Sequence, residues 1–157
     1  AHYGSSRDPP RNGLQAAGRF RVTARVGGFR GYIGSRPIRG ERMPQQIQNL
    51  VIRDYAARSG LAFKLSATEY AMPGCFMMLN AVMEELSSLD GVILFSMFML
   101  PSDQGARYAL YDQILGQSRE LHAALENVSI RSAADIARFE DILLVDQFAA
   151  TELPEAV

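Results

Sequence analysis

Val92-Ile93-Leu94-Phe95-Ser96-Met97-Phe98 is a near-continuous apolar run entered through the turn-forming pair Asp90-Gly91. A run that is apolar at both alternating positions fits a strand covered on both faces, as in the middle of a parallel sheet. The longest apolar stretch, Gly91 to Pro101, is about half the ~20 residues that cross a bilayer. Outward from this run, extended segments alternate with helical periodicity. Upstream, Phe29-Arg30-Gly31-Tyr32-Ile33-Gly34-Ser35 reads as a first strand, and Arg36 to Met43 as a loop. Pro44 suits the first turn of a helix, where its missing N–H is no loss. Ile47, Leu50, Val51 and Tyr55 recur at helical spacing and predict that helix's buried face, with Gly60 as its C-terminal cap. Leu61 to Ser66 reads as a second strand, Ala67 to Gly74 as a polar loop, and Phe76, Leu79, Val82, Met83 and Leu86 as the apolar face of a second helix. Downstream, Pro101 to Gly105 opens a third helix reaching Gln117, and a fourth strand falls near Leu121 to Leu125. Ser132 and Asp135 form a capping-box pattern before a last helix with Ile136, Phe139, Ile142, Leu143 and Phe148 inward.

This alternation predicts an α/β three-layer sandwich with a mainly parallel sheet of four strands or slightly more. The chain has 157 residues, 48% of them hydrophobic, which suits one domain. Its expected extent is 29–150, with a disordered, partly tag-like tail over 1–28 and a C-terminal tail over 151–157. A single Cys excludes a disulfide framework and a Cys-based zinc site, and two His exclude a histidine-rich metal site. Neither a Gly-x-Gly-x-x-Gly nor a Gly-Lys-Ser/Thr loop is present, so dinucleotide and P-loop readings lack their mechanism. No cofactor is expected, and no metal beyond a magnesium ion arriving with a phosphorylated ligand. Without an apolar core after the basic N-terminal residues, the expected location is the cytoplasm, without membrane insertion.

The net charge of −1 conceals an asymmetry: through residue 60, eleven Arg face only Asp8, Glu41 and Asp54, leaving the remainder at −9. Fifteen of the sixteen basic residues are Arg, Lys64 being the exception. Arg grips phosphate or carboxylate with a planar fork, which points to an anionic ligand held by some of Arg30, Arg36, Arg39, Arg42 and Arg53. The acidic remainder of the chain argues against nucleic acid.

In a parallel sheet with right-handed crossovers, the segments after the strands converge on one edge, where ligands bind. Ser35, Arg36, Ser66 to Tyr70 and Ser96 are therefore expected to share a crevice. Gln45, Gln48 and Asn49 fall three and four residues apart on the first helix. Amides at a helix start suit sugar hydroxyls, with Thr68 and Ser96 adding further polar contacts. Glu69 beside Tyr70 is the acid/base candidate, because partial burial moves a carboxyl toward the operating pH; a structural ion pair with Arg36 or Arg53 is the alternative. Cys75 lacks a nearby histidine base and reads as a small buried residue, and His122 as an ordinary strand residue.

Two families share features with these segments. Arg30-Gly31-Tyr32-Ile33-Gly34-Ser35-Arg36-Pro37-Ile38, the Pro44 to Tyr55 helix and Ser66-Ala67-Thr68-Glu69-Tyr70-Ala71-Met72-Pro73-Gly74 resemble the sporadic carbohydrate cluster proteins of surface-polysaccharide gene clusters. That resemblance implies a role in making or modifying a sugar. The layout is also similar to the catalytic domain of serine recombinases (resolvases), a resolvase-like or Rossmann-like scaffold whose first strand presents a nucleophilic serine, here matched by Ser35. Recombinases follow their third strand with an Asp-Arg-x-x-Arg set that activates this serine and holds the scissile phosphate. The matching stretch here is Ser96-Met97-Phe98-Met99-Leu100-Pro101, without a charge, and Ile33 stands where the family has an arginine two residues before the serine. The second resemblance therefore implies a shared scaffold without DNA chemistry.

Together these readings predict a small enzyme acting on a phosphorylated or nucleotide-linked sugar by proton transfer: an isomerase, epimerase or lyase. Glu69, Tyr70 and Ser35 would be catalytic. Arg36, Arg39, Gln45, Gln48, Asn49, Thr68 and Ser96 would hold the substrate, in a homo-oligomer that binds no nucleic acid. The alternatives are a non-catalytic oligomeric scaffold or regulatory module, and a degenerate recombinase-like DNA-binding domain.

Overall fold

The computed structural model describes residues 27–152; the expected N-terminal tail up to residue 26 and the last residues from 153 lie outside them. Five strands, β1 (Phe29–Gly34), β2 (Phe63–Glu69), β3 (Gly91–Leu94), β4 (Glu120–Ala123) and β5 (Val128–Ile130), form one sheet in the order β2-β1-β3-β4-β5. The first four run parallel, and β5 returns antiparallel to β4. The helices are α1 (Gln45–Ser59), α2 (Met77–Glu84), α3 (Gln104–Gly116) and α4 (Ile136–Glu152). The α/β sandwich with its mainly parallel sheet is the architecture that the alternating segments predict.

Side chains of neighbouring strand residues point to opposite faces, which separates two packing layers. On one face, His122 of β4 is fully buried, edge-on to Phe29 at 5.3 Å between ring centroids and 2.6 Å from the Tyr55 hydroxyl of α1. On the other, Val92 and Leu121 meet Leu79 and Met83 of α2 and Leu110 and Ile114 of α3. β3 is buried at all four positions, as its two-sided apolarity requires. The fourth layer member, α4, is tied to α3 by a bidentate pair, Arg107 Nη2 and Nε donating to Glu140 at 2.9 Å each.

Several boundaries differ from the sequence reading. β2 runs on through Ala67, Thr68 and Glu69, residues expected in a loop, because β1 offers them a parallel partner as far as Gly34↔Glu69. The apolar run after β3 leaves the sheet at Phe95 and closes into a short 3₁₀ turn, Met97–Met99. The strand β5 was not visible in sequence: its three residues follow a turn closed by Asn127 at φ 54°. The cap at Gly60 is left-handed at φ 67°, as expected of a glycine stop, and the Ser132–Asp135 capping box forms.

The rotation of α1 is the largest correction. Its buried side carries Gln48, Ile52, Tyr55 and Ala56, while Ile47 and Leu50, expected inside, are 42% and 60% exposed. Gln48 causes this. Its Oε1 accepts from the Gly34 N–H at 3.0 Å, and its Nε2 donates to the Gly34 carbonyl at 2.6 Å and to the Met43 carbonyl at 2.8 Å. A buried amide with every strong partner met turns the helix that carries it. Phe148, expected inward on α4, is 58% exposed.

Candidate functional site

The strand order reverses at β1, since the chain steps from β1 out to β2 and then crosses back to β3. Open parallel sheets place their ligand crevice at the carboxyl end of such a reversal. A cavity of about 490 Å³ lies there, lined by Ile38, Arg39, Glu41, Met43, Phe95, Ser96, Phe98, Leu125 and Glu126. One wall is a tight turn in which Ile38 and Glu41 exchange backbone hydrogen bonds of 2.7 and 3.1 Å. Arg39 and Gly40 occupy its centre at φ 52° and 81°, a primed hairpin turn. Left-handed backbone costs a non-glycine residue about 1 kcal/mol. In that pose the Arg39 guanidinium lies 4.8 Å over the Phe98 ring and pairs with Asp146 of α4 at 2.6 Å.

The opposite wall is held by a carboxylate that the sequence reading missed. Fully buried Ser96 donates to Glu126 Oε1 at 2.5 Å and accepts from the Phe98 N–H at 3.2 Å, while the Met97 N–H donates to Glu126 Oε2 at 3.1 Å. Glu126 sits on the β4–β5 turn, whose existence no sequence pattern announced. Ser96 therefore lines the cavity with its hydroxyl already committed.

Glu69 is equally committed. Its carboxylate accepts from the Tyr32 hydroxyl at 2.7 Å and from the N–H groups of Tyr70, Met78 and Leu79 at 3.0–3.2 Å. Met78 and Leu79 open α2, so the carboxylate anchors a helix start that has no side-chain cap of its own. Burial alone would raise the Glu69 pKa, but the donors from Tyr32, Leu79, Met78 and Tyr70 outweigh it and hold the carboxyl below its ordinary value. Burial first, then the bond to Glu69, pushes the Tyr32 phenol far up, so it donates and does not ionise. A carboxylate that is 1% exposed, ringed by donors and depressed in pKa is a poor proton acceptor for a ligand. The expected acid/base role is replaced by a structural one, and the salt bridge to Arg36 or Arg53 offered as its alternative does not form.

The other candidates scatter. Ser35 is exposed at the end of β1, and Tyr70 is 51% exposed beyond Glu69. Arg36 donates to the Met72 carbonyl at 3.3 Å and lies 5.0 Å over Phe76. Gln45 and Thr68 are exposed, Asn49 accepts from the Ser66 hydroxyl at 2.7 Å, and Gln48 is spent on Gly34 and Met43. The three amides therefore do not form one ligand-facing set. Of all the expected substrate contacts, only Arg39 and Ser96 line the cavity. The Cys75 thiol donates to Glu69 Oε1 at 3.7 Å. Among the described residues, no group of three or more His, Cys, Asp or Glu is placed to hold a metal ion. No helix among them is long and apolar enough to cross a membrane.

With this geometry in place, the fold defines a class: a small parallel α/β sheet with one antiparallel edge strand, of the kind found in serine recombinase catalytic domains. The N-terminal catalytic domain of TP901-1 integrase superposes with a TM-score of 0.53 at 15% identity, covering 80% of this chain and 99% of that one. A resolvase family site-specific recombinase from Streptococcus pneumoniae superposes at 0.56 and 11% identity, covering 78% of this chain and 91% of that one. At such identity the likeness is one of fold. No protein family and no curated protein matches the sequence.

These neighbours overturn two expectations. Sugar-modifying chemistry finds no counterpart among them, and nothing supports the sporadic carbohydrate cluster resemblance; the recombinase scaffold is the likeness that survives. The exclusion of nucleic acid, which rested on the acidic C-terminal part of the chain, also falls, since both neighbours are recombinase domains. Acidic residues counted along the chain say nothing about the charge of any one face of the folded protein.

Proposed function

We propose that this chain is a recombinase-fold module that associates with nucleic acid without cutting it. One observation carries the second half. The segment after β3, where recombinases keep the charges that activate their serine, is an uncharged plug with Met97, Met99 and Leu100 in the core. Ser35 sits at the matching strand end beside Arg36, which is already turned to Met72 and Phe76. A lone hydroxyl without a base or a phosphate-gripping set does not become a nucleophile. Association is supported by the fold neighbours and by Arg53 and Lys64, exposed cations in the N-terminal half that form no ion pair among the described residues.

Incubation with a supercoiled plasmid and a labelled duplex tests both halves. Binding should weaken steeply with salt, as phosphate contacts release counterions, with no nicking and no covalent protein–DNA adduct. An adduct that disappears in Ser35→Ala would overturn the non-cutting half. Absence of binding at low salt, to duplex and single strand alike, would overturn the other.

A further inference from the structure

The free edge of the sheet carries a groove of about 610 Å³ lined by Arg30, Arg53, Phe63, Lys64 and Leu65. It originates in a register slip. Phe29 pairs with Phe63 and Gly31 with Ser66, so β2 spends an extra residue and bulges at Lys64-Leu65. A Cβ at Gly31 would collide with the Ser66 hydroxyl, so this glycine lets the two strands close up again beyond the bulge. A bulge bearing a Lys is a common way to keep an edge from accepting another strand, and that accounts for Lys64.

It does not account for the rest of the groove. Leu65 is 76% exposed, which no solvated edge requires. The Arg53 guanidinium lies 5.8 Å over the Phe63 ring. Arg30 pairs through Nη1 with Glu85 at 3.3 Å, yet its buried Nε has no hydrogen-bond partner. Arg53 and Lys64 form no ion pair among the described residues. A positive field from exposed Arg53 and Lys64 and an apolar wall of Phe63 and Leu65 thus share one groove, with Arg30 beside them. The chemistry that matches all of them is a polyanion bearing flat apolar units.

Resting on the nucleic-acid reading above, we propose that this groove binds single-stranded nucleic acid, with phosphates on Arg53 and Lys64 beside Arg30 and a base against Leu65 and Phe63. Contact is thereby placed on the β2 edge, away from the Ser35 end of the sheet. An acidic peptide would match the charge, but a peptide adding as a strand needs a regular edge, and the bulge removes it.

The test is fluorescence anisotropy of a labelled oligothymidine across a salt series. Arg53→Gln with Lys64→Gln should lower the steepness of log affinity against log salt by about one. Leu65→Ser should weaken binding about ten-fold at unchanged steepness. Arg36→Gln with Arg42→Gln, at the other end, should change neither; Arg42→Gln alone serves if that double variant loses its unfolding transition. If the wild type binds but only the Arg36/Arg42 variant loses steepness, the groove assignment is overturned and the broader reading stands. If polyglutamate displaces the oligonucleotide at equal charge concentration and Leu65→Ser has no effect, an acidic peptide replaces the nucleic acid. If the wild type binds neither strand nor duplex at low salt, the broader reading itself falls.

Discussion

The carboxyl end of the sheet and its β2 edge use the same residue types to opposite ends. At the carboxyl end the polar groups are consumed internally: Glu69 by Tyr32 and the start of α2, Gln48 by Gly34, Ser96 by Glu126, Arg39 by Asp146. At the β2 edge, Arg53 and Lys64 are left without an ion pair among the described residues, beside the exposed Leu65. A cluster of polar residues after parallel strands is thus evidence of convergence, not of availability. Buried polar groups must be satisfied, and a sheet end with three elements arriving offers many partners. An edge offers few.

The contrast breaks most visibly at Glu69. Glu69→Ala should destabilise by about 3 kcal/mol, since the Met78 and Leu79 N–H groups and the Tyr32 hydroxyl lose a charged acceptor; urea denaturation measures it, and a change near zero would dissolve the contrast. Gln48→Ala should cost somewhat less, about 2 kcal/mol, because two backbone groups of Gly34 lose neutral partners, again read by urea denaturation.

A pH series sharpens the same point. The folded Glu69 carboxyl titrates below its ordinary value of 4.5, so its stabilisation is full above that value and is lost as pH falls through the folded pKa. The gap in unfolding temperature between wild type and Glu69→Gln should therefore be widest near neutrality and shrink on acidification below pH 4.5. Smallest of all, Arg53→Gln and Lys64→Gln should each move stability by no more than about 0.5 kcal/mol, measured in the same denaturant. A larger loss would make the edge residues structural too.

Much of the fold was legible. Strands at Phe29 and Val92, the Gly60 cap and the Ser132–Asp135 box depend on local chemistry, which the chain states outright. What could not be read was which side of α1 faces inward. Ile47 and Leu50 outrank Gln48 on any scale of apolarity, but apolarity does not register that Gly34, fourteen residues earlier, presents an N–H and a carbonyl in need of partners. Glu69 was found as an unusual carboxylate, and only its hydrogen-bond partners reversed its meaning. Glu126 carried no signal at all, because its importance depends on a hairpin of two short strands.

The alternation of elements, their caps and the two-sided burial of β3 follow from side-chain periodicity and backbone preferences acting within a few residues, and so can be read along the chain. Which polar groups are spent and which remain free emerges on folding, because a donor's worth is set by what stands opposite it, and that partner is brought from a distant part of the chain.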